Sequence, residues 1–179
     1  VYDNGRIVVV EQEVQVESLP EAFDGFTVLQ ISDLHGKRFG EKQEKLVNLI
    51  NSLDFDMIAI TGDANHYWRQ ESAPLVELLR GIERKEYVFY TAGNTGPFDM
   101  EMLTGRITRD GVLLKNEGCL LLNEPHPMIK GGKTLWVTGY FSSYEVDRQF
   151  NLLLQENPDE ASAVQQWIKR VDEIKKQYR

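Results

Sequence analysis

Residues 26–35 read "FTVLQISDLH", an apolar run that stops at an aspartate and a histidine. The run has the composition of a strand, and Asp33 and His35 place two polar, metal-type side chains where it ends. The same device recurs twice downstream. "DMIAITGD" (56–63) predicts a short buried strand ending at Asp63, and "YVFYTAGN" (87–94) predicts a third ending at Asn94. Between them lie two stretches of helical period. Leu46, Leu49, Ile50 and Leu53 form one apolar stripe within 41–53, and Leu75, Leu78, Leu79 and Ile82 form another within 72–82, where Pro74 suits a helix start. Strand, helix, strand, helix, strand is the pattern of parallel pairing with right-handed crossovers in an α/β layer architecture.

Outside this block the texture changes. "RIVVVEQEVQV" (6–16) alternates at Val14 and Val16 and predicts an edge or half-buried strand. Beyond Gly111, short apolar runs broken by turns predict a strand meander continuing or facing the first sheet, with "KGGK" (130–133) as a hairpin connection. The tail predicts a helix. Asn157 caps it, Pro158 sits at its first position, Asp159 and Glu160 favour its positive end, and Val164, Trp167, Ile168, Val171, Ile174 and Tyr178 form its stripe. Repeats and low-complexity segments are absent.

A length of 179 residues, 41% hydrophobic and 27% charged, fits one folded domain over 1–179 with its own core. The net charge of −8 argues against a nucleic-acid backbone as partner. One cysteine, Cys119, excludes an internal disulfide or a cysteine-based zinc cluster, and its run "CLLLN" suits a buried structural thiol. No apolar stretch approaches the roughly 20 residues that span a bilayer. The chain opens at Val1 without a methionine or a signal-peptide pattern, which leaves its natural start open.

In an open α/β sheet, the carboxyl ends of the strands line the ligand crevice. Asp33, His35, Asp63 and Asn94 are therefore expected to converge. Carboxylates, an imidazole and an amide oxygen suit a divalent cation. Alternate residues of an extended loop share a face, which predicts that Asp33 and His35 point the same way. One carboxylate, Asp63, is placed to bridge two ions, a pair able to activate water and neutralise a phosphate. Taken singly, each motif is more readily a turn or a chance match than a ligand; the signal is their order, each closing an apolar strand.

These motifs resemble the calcineurin-like metallophosphoesterases, whose pattern runs Asp-x-His, Gly-Asp-x-x-Asp, Gly-Asn-His-Asp/Glu and then later histidines. "DLH" (33–35) matches the first, and "GDANH" (62–66) and "GNTG" (93–96) partly match the next two. "LPEAFDGFTVLQISDLHG" resembles the bacterial branch often anchored in a membrane by a preceding helix, and "LWVTGYF" the strand after the third motif. The resemblance implies a four-layer α/β/β/α sandwich and two divalent ions, Mn, Fe or Zn. Asp33 and His35 would hold the first ion, Asp63 would bridge, and Asn94 would hold the second. It further implies hydrolysis of a phosphomonoester or phosphodiester by metal-activated water, on a small molecule or a lipid head group. Its setting would be cytoplasmic or membrane-associated.

Three positions depart from the family pattern. His66 stands where the second motif ends in an acid, and serves either as an additional ligand or as an exposed neighbour. Thr95 occupies the place of the histidine assigned to the leaving group, and Gly96 that of the following acid. Losing a general acid costs on the order of 10²–10⁴ in rate. Only three histidines occur, and His126 lies between Pro125 and Pro127, which favours a solvated or structural residue over a ligand. The family's later histidine motifs have no counterpart in 1–179, so the chain corresponds to the N-terminal portion of such a domain. Two functions compete: a phosphoesterase with altered activity, and a binding or scaffolding module that keeps the fold. A phosphoacceptor signalling domain would need an acidic pair after its first strand, which is lacking. Tyr67 and Trp68 either line a substrate pocket or cover the core edge. Oligomeric state is left open.

Overall fold

The computed structural model describes residues 5–66, 71–93, 95–96, 109–121 and 126–139. Asn94, Tyr67, Trp68 and the expected tail helix over 157–178 lie outside them. Four strands, β1 (Val28–Ile31), β2 (Met57–Thr61), β3 (Val88–Thr91) and β4 (Leu120–Leu121), form one parallel sheet in chain order. Val28 pairs with Met57, Ile58 with Val88, and Phe89 with Leu120. Parallel neighbours need crossovers, supplied by α1 (Glu44–Ser52), α2 (Ala73–Gly81) and α3 (Arg109–Asn116).

The period-two alternation of β2 and β3 divides the core. Ile58, Ile60, Val88 and Tyr90 turn to the helices, where they meet Leu46, Ile50, Leu75, Leu78, Leu79, Ile82 and Leu114. Met57, Ala59 and Phe89 turn to the other face. There the antiparallel hairpin of β5 (His126–Lys130) and β6 (Lys133–Val137) lies against them through Met128, Leu135 and Val137. Its turn, Gly131–Gly132, has two positive φ values, +57° and +71°, a geometry open to glycine. The class is the expected α/β one, and the hairpin faces the sheet.

Three expectations are corrected. The run at 111–118 is not a strand; it lies in α3 and the turn after it, with Leu114 buried. An antiparallel meander would need only a short turn there, whereas β4 joins β3 in parallel, which requires the crossover. Residues 6–16 form no strand among the described residues, and Val10 and Val14 are 73% and 74% exposed. Alternation alone does not make a strand; among the described residues no strand pairs with this segment, and its valines stay in solvent. The helix expected from 41 begins with a 3-10 turn, Glu41–Gln43, because Lys42 and Gln43 adopt φ of +49° and +66°.

Gln43 explains that kink. Its side chain is fully buried, its Oε1 accepts from the Phe39 amide at 2.9 Å, and its Nε2 donates to the carbonyls of Lys37 at 2.7 Å and Pro74 at 3.3 Å. The loop after β1 is thereby fixed to the start of α2. Arg38 adds a second tie, with Nε 2.7 Å and Nη2 3.0 Å from the Glu77 carboxylate. The hydrogen bond from Arg38, helped by its charge, holds the Glu77 carboxyl below its ordinary range.

Cys119 is the buried thiol its sequence suggested, 3% exposed within the helix-side core. Burial pushes its pKa up to about 12. Because the thiolate is the reactive form, Ellman's reagent should label the native chain on the order of a thousandfold more slowly than the urea-unfolded chain. Equal rates would mean that the site opens freely.

Candidate metal centre

The three main strands end side by side, and their loops keep the ladder going beyond them. The Asp33 amide donates to Gly62 O at 3.1 Å, the His35 amide to Asp63 O at 2.9 Å, and the Gly36 amide to Ala64 O at 2.7 Å. On the other side, the Asp63 amide donates to Ala92 O at 3.1 Å and the Asn65 amide to Gly96 O at 3.0 Å. The segments predicted to converge are thus stitched to one another through their backbones.

Asp33, His35 and Asp63 all sit in the left-handed region, at φ of +56°, +48° and +54°. This corrects the expected extended Asp-x-His loop. The side chains share a face because the loop coils, with Leu34 buried between them. Non-glycine residues at positive φ are uncommon and are held there only when surrounding bonds over-determine them. Here three fall on the three candidate ligands.

One ligating atom from each of Asp33, His35 and Asp63 lies within 4.8 Å of the other two. His35 Nε2 is 3.6 Å from Asp33 Oδ1. Bonds of about 2.0–2.2 Å around one ion place donors about 3–4 Å apart, so this trio fits a divalent cation with a small inward adjustment. The donor set of two carboxylates and an imidazole suits a divalent cation.

Neighbouring groups fix these carboxylates. The Ser32 hydroxyl donates to Asp33 Oδ2, and the Thr95 amide donates to Asp63 Oδ1 at 3.0 Å. Gly62 and Gly93 press the second and third loops together. A Cβ on Gly62 would lie 2.8 Å from Gly93 Cα, and one on Gly93 would lie 2.4 Å from Asp63 Oδ1.

The remaining candidates divide. Thr95 adjoins the trio through its amide on Asp63 and is 2% exposed, its hydroxyl buried without a hydrogen-bond partner. His66 is exposed beside Gly36 and stands outside the close trio. His126 is on β5, its ring edge-on to Phe89 at 5.3 Å and Tyr87 at 6.4 Å, a core contact. Sequence reading missed Ser32, the Thr95 amide and the Gly62–Gly93 contact. The signals were a hydroxyl adjoining a candidate ligand and a glycine directly preceding Asp63 and Asn94. A cleft of about 470 Å³ lies at the opposite end of the sheet, among Phe26, Phe55, Asp56, Lys85, Tyr87 and Lys130, and shares no residue with this corner.

A parallel sheet with clustered acidic and imidazole side chains at its carboxyl edge defines an α/β class with a candidate cation site, and comparison with known proteins gives the family. The calcineurin-like phosphoesterase family matches residues 26–178, most of the chain, and the chain belongs to it. That family consists of metal-dependent phosphoester hydrolases with an α/β sandwich fold. The chain is also 39% identical over 88 residues to a Danio rerio protein described as a transmembrane protein with metallophosphoesterase domain. That stretch covers 48% of the chain and 20% of the relative, so the chain spans about a fifth of that protein's length. No solved structure matches significantly. Among the described residues, no helix is long and apolar enough to cross a membrane.

Proposed function

We propose that this chain carries the metal-binding corner of a phosphoesterase acting on a phosphate monoester or diester, with Asp33, His35, Asp63 and Asn94 as the ligands. The observation that carries the reading is the trio at positive φ, with ligating atoms within 4.8 Å of one another. Bound divalent cations supply an activated water and offset the charge of the phosphate.

The protein's own groups do the positioning. Ser32 fixes one oxygen of Asp33, and the Thr95 amide fixes Oδ1 of Asp63, so neither carboxylate rotates freely. The Gln43 and Arg38 ties anchor the far end of the first loop. His66 is exposed beside Gly36 at the border of the corner. Membrane proximity is proposed on the likeness to the transmembrane relative. Lipid head groups and soluble phosphate esters share the same chemistry at this corner.

Calorimetric titration with manganese tests the reading, paired with hydrolysis of bis(p-nitrophenyl) phosphate. Saturable binding and a turnover that EDTA abolishes and manganese restores are expected. A chain that does not bind manganese would refute the metal assignment. The replacements at Thr95 and Gly96 favour the second reading, a binding module with impaired catalysis, and binding without turnover would select it.

A further inference from the structure

We propose that the cleft of about 470 Å³ at the amino end of the parallel sheet is a second binding site, built for a small aromatic molecule carrying one negative charge. Its volume falls within the roughly 300–1,000 Å³ of sites that hold small molecules. It lies at the opposite end of the strands from Asp33, His35 and Asp63, so its ligand is distinct from whatever the metal corner handles.

Two parts of the fold make the walls. One is the row of residues leading into the strands: Phe26 before β1, Phe55 and Asp56 before β2, and Lys85 and Tyr87 before β3. The other is β5 of the hairpin, through Met128, Ile129 and Lys130. The floor is the core between them, where Phe23 and Met128 are each 1% exposed. Hydrogen bonds fix the first wall in advance. The Asp56 amide donates to Thr27 O at 2.9 Å, the Thr27 amide to Asp56 Oδ2 at 2.8 Å, and the Ile58 amide to Tyr87 O at 2.8 Å. A wall already ordered costs a ligand little further ordering.

The lining sets rings and cations side by side. The Arg84 guanidinium lies over the Phe55 ring at 4.2 Å, and the Lys130 ammonium over the Phe26 ring at 5.5 Å. Carboxylates pin both cations: Asp54 Oδ1 is 2.8 Å from Arg84 Nη1, and Asp56 Oδ1 is 3.4 Å from Lys130 Nζ. Lys85 is half-buried, its stem running past Gly118, where an added Cβ would lie 3.7 Å from Lys85 Cδ. A lysine packed along its methylenes keeps its charged head at the edge of the apolar surface.

This lining selects the ligand's chemistry. A planar apolar body gains contact with Phe26, Phe55 and the floor, and an anionic head gains Lys85 and Lys130. A neutral hydrocarbon would cover these cations without replacing their water. A multiply charged anion would meet Asp56 and Glu86, which line the same cleft. One charge on an aromatic frame satisfies both limits.

The test is a fluorescence titration of the native chain, in EDTA, with 8-anilinonaphthalene-1-sulfonate, an aromatic monoanion that brightens in apolar surroundings. N-phenyl-1-naphthylamine, the same frame without the sulfonate, is titrated in parallel. Saturable binding of the sulfonate is expected. Lys85→Met should weaken it about tenfold, the worth of one hydrogen bond to a charged group, and weaken the uncharged analogue less than about twofold. Ile129→Glu, on the hairpin wall and 68% exposed, should weaken the sulfonate about fivefold by repulsion. Because that change is at the surface, it carries the test even if Lys85→Met lowers the melting temperature. Lys133→Met removes an exposed cation of the same hairpin outside the cleft and should alter neither affinity. Absence of saturable binding, equal losses for both dyes in Lys85→Met, or a comparable loss in Lys133→Met would overturn the assignment. So would displacement of the dye by manganese, which would place it at the other end of the sheet. A chain that binds the dye without turning over phosphate esters would fail the hydrolase reading alone.

Discussion

Asp63→Asn is expected to abolish manganese binding and to lower phosphodiester turnover by at least about 10³-fold, since charge stabilisation by bound metal is worth several kcal/mol. The substitution is nearly isosteric, and its amide oxygen still accepts from the Thr95 amide, the contact that spans 3.0 Å in the native chain. The fold should therefore persist while the charge at the proposed bridging position is lost. Calorimetry with manganese and a thermal melt without it separate the two. A melt near the native one together with a flat titration supports Asp63 as a ligand. An undiminished affinity would remove it from the site.

Gly93→Ala is expected to act on stability and site together. The added methyl would lie 2.4 Å from Asp63 Oδ1 and 2.7 Å from Asp63 N, on a residue whose φ is +64°. A left-handed alanine costs about 1–2 kcal/mol and overpacking about 1–3 kcal/mol, so urea unfolding should show a loss of about 2–5 kcal/mol. Manganese affinity should fall with it, because relieving the clash means moving the Asp63 carboxylate. A variant within about 0.5 kcal/mol of the native chain would show that the loops separate without cost and that their contact does not set the site.

The contrast between what the sequence revealed and what it concealed is physical. Strands β1, β2 and β3 and helices α1 and α2 were legible because each is written in its own residues: a bounded apolar run, or a stripe such as Leu75, Leu78, Leu79 and Ile82. Helix α3 was not, since "GVLLKN" is too short to show a period, and its state follows from the parallel pairing of Phe89 with Leu120. The valines of 6–16 carried a strand pattern without a partner among the described residues. At the site, the residue types at the strand ends were readable. The left-handed turns at Asp33, His35 and Asp63 were not, because bonds from neighbouring loops impose them. Nor was the role of Thr95, whose amide reaches a carboxylate 32 positions earlier in the chain.

The order of the strands has a consequence for how such a chain is born. Each strand pairs with the one made just before it, position 57 with 28 and 88 with 58, so no strand of the parallel sheet waits for a distant partner. Domains fold from the N-terminus as they are synthesised, at about 5–20 residues per second. On that timetable the Asp33–His35 loop emerges first, receives Asp63 with the second strand, and gains the Thr95 amide with the third. The corner is built vectorially, one strand end at a time, and a nascent chain arrested before residue 95 would carry all three clustered candidate ligands without the amide that steadies the last.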